Sequence, residues 1–562
     1  MKRLFVGIAA VCLTLSGQTY FLSATANSAQ SKAFIVPNDW HDGMHNVLFY
    51  DDEIFEASSY LVSNTLENNI AVDPTCSSAD DKKCKGSHAT YQAELPICSN
   101  LNTTNCISGF GLVNDDGSRT AGKFANYFPA KAQNEYMGNA KYNLPSGTAP
   151  SVFDLPSAPH EGGSQYYLSV RQVGSGVAGE KMVMESFSAR ITPIQMTPAL
   201  NDHTCAVLEV CPNAGYALIY SNPTNSFWGE QSSGITGLQS CAMVDHNTHM
   251  CAERSNFPEG KKFYLTIRTT SAITGWLHGR LSDPGISITK NGTSTTLDFS
   301  GQSVAVPVLY HASQWSDLPV DIRDHYSPTT GKFISANGVS GGFSRSPNPN
   351  QSDPTLRNYT SFPKPFGLTG IEELQTWLPF MHDTSSGYAS VWRVRTLSVA
   401  ENLGANTCFT DESKLTGLVT NNSTEYSAGP PSFDVKSGTL SYKLASPHFL
   451  DDGSVFKGSY NLLMRSDVAR CVYKFSSAPV KATVQVLSAN GSPELATTVT
   501  SEKDGWLRLS ANNFEFSSPK VSVKLQQAAS ANTSSSIQCV NETSKRIIKV
   551  TKPTCPVGFK KK

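Results

Sequence analysis

The sequence predicts an all-β protein, built of several disulfide-stapled, sandwich-like domains in series, with one short helix and a basic C-terminal hairpin tail. Three observations lead to this class: alternating strand patterns over residues 471–525, an even set of cysteines after the N-terminal leader, and low charge. Charged residues make up only 16% of the 562 residues, well below the roughly one quarter that is usual in soluble proteins. Serine, threonine, asparagine and glycine replace them, which is typical of strand-and-turn proteins that work outside cells.

The stretch 471–525 shows the clearest strand pattern. Apolar and polar residues alternate in the segments 484–486 and 521–525, and turn clusters at 489–493 and 503–505 interrupt the alternation. A period of two, broken by Gly, Pro, Asn and Asp, indicates half-buried strands joined by tight turns. The stretch therefore predicts a meander of antiparallel strands.

A secretory signal peptide is predicted within residues 1–29. Lys2 and Arg3 precede an apolar run over 4–15, and Ala24-Thr25-Ala26 supplies small residues for cleavage, as such signals require. An uncleaved anchor helix is the alternative, but the apolar run is short for a bilayer span. The segment predicts a secreted or cell-surface protein.

Twelve cysteines remain once Cys12, inside the leader, is set aside, and an even number favours a disulfide framework. We expect neighbours in sequence to pair, although each group of four allows three connectivities. The groups are Cys76, Cys84, Cys98 and Cys106; Cys205, Cys211, Cys241 and Cys251; Cys408 and Cys471; and Cys539 and Cys555. No C-x-x-C pair occurs, which argues against zinc binding by these thiols.

Composition shifts divide the chain after the leader into four predicted units. They are an N-terminal β-rich domain (30–195), a middle β-rich domain with one helix (196–395), a β-sandwich domain (396–529), and a linker with a basic disulfide-closed tail (530–562).

The one predicted helix begins at Thr369. Thr369 and Glu372 have the spacing of a capping box, Ile371 and Leu374 share one helical face, and Pro379 ends the pattern. These are the start and stop signals of a short amphipathic helix.

The tail concentrates positive charge against a single acid, Glu542. Cations in such excess are attracted to polyanionic surfaces, with a dependence on salt. The candidate envelope anchor comprises Lys545, Arg546, Lys549, Lys552, Lys560, Lys561 and Lys562. A disulfide-closed hairpin whose lysines are merely solvated is the alternative.

The tail also carries a resemblance. Its pattern of Ile537-x-Cys539, a basic middle, Pro553-x-Cys555-Pro556-x-Gly558-Phe559 and terminal lysines resembles the C-terminal tails of uncharacterised exported proteins of actinobacteria. Residues 275–280 are similar to the same group. The resemblance implies a bacterial surface or secreted protein, and it implies no catalytic residue and no substrate.

Aromatic residues are the candidate ligand-binding material. Trp228, Tyr220 and Trp276 have rings of the kind that stack on sugars. The alternative is burial in strand faces, because aromatic residues are usually core residues.

A weak metal-binding candidate lies between Cys241 and Cys251. His246 and His249 are three residues apart and Asp245 precedes them, which offers ligand types that zinc accepts. The alternative is a polar loop stapled by a disulfide, because the pattern lacks the glutamate of H-E-x-x-H.

No motif of catalysis is complete. Gly338-Val339-Ser340-Gly341-Gly342 matches G-x-S-x-G, but the proline-rich sequence after it predicts no helix, which a nucleophile elbow requires. The acidic clusters 114–117 and 451–453 lack the spacing of a calcium loop and predict hairpin turns instead. No cofactor is expected, and a net charge of −1 gives no reason to expect nucleic acid as a partner.

These observations predict an exported binding or adhesion protein, secreted or associated with the cell envelope, whose partner is an anionic cell-wall polymer or a surface glycan. Two alternatives stay open. One is an extracellular hydrolase of polysaccharide or peptide, which would need converging acids or a Ser/His pair. The other is a structural subunit of a surface layer or filament.

Overall fold

The structure is a computed structural model that confirms the all-β class. It describes residues 34, 44–51, 59–63, 65–67, 70–72, 75–130, 134–199, 231–234, 240–245, 248–326, 334–335, 338–339, 359–361, 363, 365–399, 401–411, 413–474, 480–487, 493–494, 497–516, 520–527, 537–545, 547–550 and 554–562. Strands account for 53% of the described residues and helices for 8%.

The strands follow the chain from the N-terminal region to the tail. They are β1 (Met44–Phe49), β2 (Tyr60–Ser63), β3 (Thr65–Glu67), β4 (Ile70–Val72), β5 (His88–Glu94), β6 (Cys106–Val113), β7 (Arg119–Ala121), β8 (Lys123–Tyr127), β9 (Ser151–Asp154), β10 (Gln165–Val177), β11 (Val183–Pro198), β12 (Gln231–Gly234), β13 (Cys241–Asp245), β14 (Met250–Arg254), β15 (Lys262–Thr269), β16 (Gly275–Arg280), β17 (Ser282–Asn291), β18 (Ser294–Gln302), β19 (Val304–Gln314), β20 (Ile334–Ser335), β21 (Gly338–Val339), β22 (Tyr359–Ser361), β23 (Gly387–Thr396), β24 (Leu415–Asn421), β25 (Glu425–Tyr426), β26 (Ser432–Asp434), β27 (Thr439–Ala445), β28 (Lys457–Arg465), β29 (Val480–Leu487), β30 (Pro493–Glu494), β31 (Thr497–Lys503), β32 (Trp506–Glu515), β33 (Lys520–Gln527), β34 (Ile537–Val540), β35 (Ile547–Val550) and β36 (Lys560–Lys561). The helices are α1 (Val320–His325), α2 (Leu368–Trp377) and α3 (Ser466–Tyr473), with 3₁₀ turns at Ala140–Tyr142 and Trp315–Asp317.

The longest sheet, called the main sheet, contains strands from most of the length of the chain. Its strand order is β2–β5–β10–β11–β23–β16–β24–β28–β32–β31. Its neighbours are antiparallel, except that β16 and β24 are parallel. Shorter strands pair along its sides, with β8 and β9 beside β10 and β12 to β14 beside β11.

A five-stranded sheet, β7–β6–β15–β18–β17, packs on one face of the main sheet. Aromatic rings from both sheets meet in the core between them. Phe110 lies 5.7 Å from Tyr166 and Phe187 lies 6.0 Å from Phe299, measured between ring centroids. The indole nitrogen of Trp392 donates to the carbonyl of Gly301 at 3.0 Å, which satisfies a polar group inside this core.

A third sheet covers the other face of the main sheet in its C-terminal half. β27 pairs with β25, β26 and β33, and β33 pairs with β29. Tyr442 of β27 lies 5.5 Å from Tyr460 of β28. Leu462 joins this core, whereas the adjacent Leu463 joins the core on the opposite face. Burial on both faces explains why β28 has a continuous apolar run in place of alternation.

Three helices are described, where one was predicted. α2 exists as expected, and Ile371 and Leu374 are buried. The predicted capping box is wrong: Gly367 is the N-cap, no side chain caps the helix, and Thr369 lies inside the first turn. α1 and α2 pack on β1 and β19 around the buried Trp377. α3 precedes the strands of the 471–525 stretch.

The predicted meander is wrong in its connections. β31 and β32 form the expected hairpin, closed by Asp504 and Gly505 at φ 53° and 78°, the positive values that a two-residue hairpin loop requires. However, β32 also pairs with β28, whereas β29 and β33 pair with each other in the third sheet. The stretch therefore supplies strands to two sheets that face each other.

Five predicted disulfides are confirmed: Cys76–Cys84, Cys98–Cys106, Cys241–Cys251, Cys408–Cys471 and Cys539–Cys555. Cys205, Cys211 and the signal peptide lie outside the described residues. None of the helices in the described ranges is both long and apolar enough to cross a bilayer. β11 runs past residue 195. β16 pairs with β23, which includes residue 395, and with β24, which follows it. The main sheet therefore contains strands from each of the predicted domains 30–195, 196–395 and 396–529. The division of the chain into these domains stays a prediction.

Candidate functional site

The aromatic candidates are not brought together at a described surface. Trp276 is only 2% exposed and packs edge-on against Phe409, with 5.0 Å between centroids. Gly417 leaves room for it, because a Cβ there would lie 2.3 Å from the indole. The structure thus places Trp276 in the core. Trp228 and Tyr220 lie outside the described residues.

The metal candidate lies on the hairpin of β13 and β14. Asp245 is buried and accepts a hydrogen bond from the Thr248 hydroxyl at 2.8 Å, while His249 is exposed at φ 56°. His246 is outside the described residues. Among the residues that are described, no three His, Cys, Asp or Glu side chains are grouped so as to hold a metal ion. The metal site stays a prediction.

The two acidic clusters form tight turns, as predicted. The turn at 114–117 links β6 and β7, with the Gly117 amide donating to the Asn114 carbonyl at 2.9 Å. The turn at 451–453 is closed by the Leu450 amide, which donates to Ser454 at 2.8 Å. Of the G-x-S-x-G segment, Gly338–Val339 forms β21, and Ser340 lies outside the described residues.

A polar cleft lies at one end of the five-stranded sheet. It is lined by residues 112–115, Gly117, the segment 259–262, Asp283 and Gln302, and its volume is about 560 Å³. All these residues come from the ends of strands or from turns, which is where sandwich folds commonly place binding loops.

The side chains of the cleft carry both charges. Lys262 forms an ion pair with Asp283 at 2.6 Å, and Asp115, Glu259 and Lys261 also line the wall. Carboxylates accept hydrogen bonds and ammonium groups donate them. The cleft is therefore equipped to bind a hydrated, polar ligand. Sequence reasoning identified the turn at 114–117 but missed the cleft, because its other walls are distant in the chain.

A buried set of charged side chains lies deeper in the molecule. We call Asp51, His278, Arg280, Arg393 and Asn421 the Asp51 cluster. Asp51 is 2% exposed and Arg280 is fully buried. His278 and Arg280 alternate with apolar residues on β16, as Arg393 does on β23. Direct pairing of Arg280 with Arg393 places all these side chains on one face.

Asp51 forms ion pairs with two arginines. The Arg280 Nε and the Arg393 Nη2 donate to different oxygens of the Asp51 carboxylate, the second at 2.7 Å. Arg280 also donates to the Asn421 side chain, and the Asn421 amide donates to the His278 Nε2 at 3.2 Å. Burial opposes ionisation of Asp51, but Arg280 and Arg393 outweigh it and hold the pKa of its carboxyl below the usual value.

The neighbouring ionisable groups respond to the same environment. Burial, and then the positive charges of Arg280, Arg395 and Arg393, lower the pKa of His278 well below its usual value. The imidazole is therefore neutral, which fits its stacking on Tyr426 at 4.0 Å between centroids.

A third buried arginine, Arg395, has a partner of its own. Arg395 donates through Nη1 and Nη2 to the two carboxylate oxygens of Glu401, each at 2.8 Å. It also donates to the Tyr426 hydroxyl at 3.2 Å. Arg395 lowers the pKa of Glu401 below its usual value against the opposing effect of burial.

Glu425 behaves differently. It is 1% exposed, and burial, reinforced by Asp51 and Glu373, raises its pKa well above the usual value. His278 of β16 stacks on Tyr426 of β25, so this region joins the main sheet to the third sheet. The sequence signal was polar alternation, His278-x-Arg280 and Arg393-x-Arg395, inside otherwise apolar strands.

The basic tail folds as a small sheet of β34, β35 and β36 around the Cys539–Cys555 disulfide. Cys539 is buried. The Lys562 amide donates to Gln538 at 2.8 Å, which fixes the end of the chain to β34. Lys545, Lys560, Lys561 and Lys562 are exposed, and Lys549 lies on β35. Arg546 and Lys552 lie outside the described residues.

No protein-family model matches the chain, and no curated protein or solved structure is significantly similar to it.

Proposed function

We propose that this protein is exported and acts as a binding or adhesion protein at the cell envelope, where its basic tail attaches it to an anionic cell-wall polymer. The observation that carries the proposal is the tail itself. It exposes Lys545, Lys560, Lys561 and Lys562 on a framework that a disulfide and strand pairing hold in place. Among the described residues of the tail, only Lys560 has an acidic partner, which is Glu542 at 3.2 Å.

Exposed lysines of this kind suit a polyanion. Apart from Lys560, none of these lysines has an acidic partner among the described residues of the tail, so their charge is available to a partner with repeated negative groups. The attraction decreases as salt rises, because exposed charges are screened over about 10 Å at 0.1 M salt. Attachment through the tail is therefore expected to be reversible and noncovalent.

Export is supported by the disulfides. The five described bridges link cysteines that are near in sequence, except for Cys408–Cys471 with a separation of 63. Such frameworks form and persist in oxidising compartments. The predicted signal peptide within 1–29 points the same way.

The polar cleft is the proposed place for a ligand. Its mixed carboxylates and lysines suit a hydroxyl-rich molecule such as a surface glycan, and its volume of about 560 Å³ lies within the usual range for small-ligand sites. Ligand binding in the cleft and attachment through the tail use separate surfaces, so each can be removed without the other.

Cell fractionation tests the attachment. The full chain is expected to stay with the envelope fraction and to leave it in high salt, whereas a chain lacking 530–562 is expected in the medium. A variant with Lys82, Lys83 and Lys85 changed to glutamine is a matched control, because these lysines flank Cys84 in another stapled loop. If the truncated chain and the full chain partition alike, the tail is not the anchor.

A further inference from the structure

We propose that one end of the tail, called the tail tip, docks on the surface of an anionic phospholipid bilayer and inserts Val557. The tail tip consists of the turns 541–545 and 556–559, together with Ile547 and Lys560. The inference rests on the proposed attachment through the tail, and it specifies which anionic surface the tip itself contacts.

Strand pairing brings the two turns to the same end of the tail sheet. Val540, the last residue of β34, pairs with Ile547 of β35 on one side and with Lys560 of β36 on the other. The turn 541–545 follows Val540, and the turn 556–559 precedes Lys560. Both turns therefore lie at the same end of the tail sheet.

Hydrogen bonds hold the two turns together. Asn541 donates through Nδ2 to the Gly558 carbonyl at 2.8 Å, and its Oδ1 accepts from the amides of Thr543 at 3.1 Å and Ser544 at 2.8 Å. The Phe559 amide donates to Pro556 at 3.0 Å. The tip is thus preorganised, which lowers the entropic cost of binding.

The tip exposes both apolar and basic side chains. Val557 has 104% of its reference surface exposed and Ile547 has 50%. Lys545 and Lys560 are also exposed in the tip, and Lys560 forms an ion pair with Glu542. An exposed valine side chain at this position does not stabilise the fold in water, because an apolar side chain contributes stability only when its surface is buried.

The apolar part of the tip suits a bilayer, a contact in addition to that of the exposed tail lysines with the wall polymer. Lysines alone would bind either, since both carry repeated negative charge. An apolar tip flanked by lysines is the pattern of interfacial binding, in which apolar side chains enter the boundary between headgroups and acyl chains while cations contact the headgroups. Each lysine near an anionic membrane contributes an affinity factor of about fivefold.

Vesicle binding by the full chain is the test. We expect sedimentation with vesicles of anionic phosphatidylglycerol and little with zwitterionic phosphatidylcholine. Val557→Ser is expected to weaken binding to the anionic vesicles by about tenfold, on the scale of a valine side chain losing burial. Val435→Ser is the matched control: Val435 is 82% exposed on the turn between β26 and β27, and its loss is expected to change nothing.

Soluble polyphosphate separates the two proposals. If Val557→Ser binds the anionic vesicles as tightly as the full chain does, insertion is overturned. If the chain binds polyphosphate but not the vesicles, the lipid inference is wrong and attachment to an anionic polymer stands. If it binds neither, the tail is no anchor and the proposed function is wrong in that part.

Discussion

The Asp51 cluster and the basic tail are two concentrations of charge that differ in burial. In the cluster, Arg280 and Arg393 are buried and share one carboxylate. In the tail, Lys545, Lys560, Lys561 and Lys562 are exposed, and among the described residues only Lys560 has an acidic partner, Glu542. Buried charge must be paired, since an unpaired ion in the core is very costly. Exposed charge can remain unpaired, because water solvates it, and it is then free to bind a partner.

The comparison teaches that the same residue types have opposite consequences in the two places. Charge in the cluster is expected to determine stability and to be insensitive to salt, whereas charge in the tail is expected to determine attachment and to be sensitive to salt. Unfolding and binding measurements separate these two properties.

The largest effect is expected from Asp51→Asn. It leaves Arg280 and Arg393 without their shared counter-charge in the core, and breaking a buried pair in this way costs about 3–5 kcal/mol. Chemical denaturation measures the free energy of unfolding. Arg119→Gln is the control, because Arg119 is half-exposed and pairs with Asp298 at 2.6 Å; an exposed pair contributes about 0–1 kcal/mol. Equal losses in both variants would contradict the assignment of the cluster.

Removal of the Cys408–Cys471 disulfide is expected to come next. The bridge spans a separation of 63 residues, and closure of such a loop contributes about 4 kcal/mol through the entropy of the unfolded chain. Cys408→Ser/Cys471→Ser should lower the main unfolding transition. The matched change in the tail, Cys539→Ser/Cys555→Ser, should leave that transition in place and reduce envelope retention. If the tail change lowers the main transition as much, the tail is not an independent element.

Glu425 gives a dependence on pH. Its pKa is raised in the folded protein, so the stability associated with its neutral form is complete below the usual pKa of 4.5. That stability is lost as pH rises toward the folded pKa, by about 1.4 kcal/mol per pH unit. Glu425→Gln removes the titratable carboxyl. The variant should therefore match the stability of the parent at about pH 4 and exceed it at about pH 7. Unfolding free energies across this range test the sign, and parallel curves would contradict it.

The smallest effect on stability is expected in the tail. Changing Lys545, Lys560, Lys561 and Lys562 to glutamine alters exposed side chains only, and such changes usually stay within about 0.5 kcal/mol. The same denaturation experiment measures it. A loss comparable to that of Asp51→Asn would mean that the tail charges support the fold, against the comparison drawn above.

Local features of this protein could be predicted from the sequence, and long-range ones could not. The disulfide between Cys76 and Cys84 and the turn at Asp504-Gly505 depend on residues close in the chain, and both were predicted. The Asp51 cluster joins Asp51 to Arg280 and Arg393, which are 229 and 342 residues away. Alternation shows which face of a strand carries polar groups, but it does not show which strands become neighbours.

The helix and the strand connections show the same limit. The apolar spacing in 368–377 was enough to predict α2, but the start depended on Gly367, whose role as N-cap the pattern of Thr369 and Glu372 obscured. The split of the 471–525 stretch between two sheets depends on the pairing of β28 with β32, a contact that no local pattern specifies.

The most direct test of the central claim is the salt dependence with which the purified chain binds an immobilised anionic wall polymer. The account predicts that the full chain is retained at low salt and elutes as salt rises. It also predicts that the variant with glutamine at 545, 560, 561 and 562 passes through unretained, while glutamine at 82, 83 and 85 changes nothing. Equal retention of all three proteins, or retention that does not respond to salt, would contradict it.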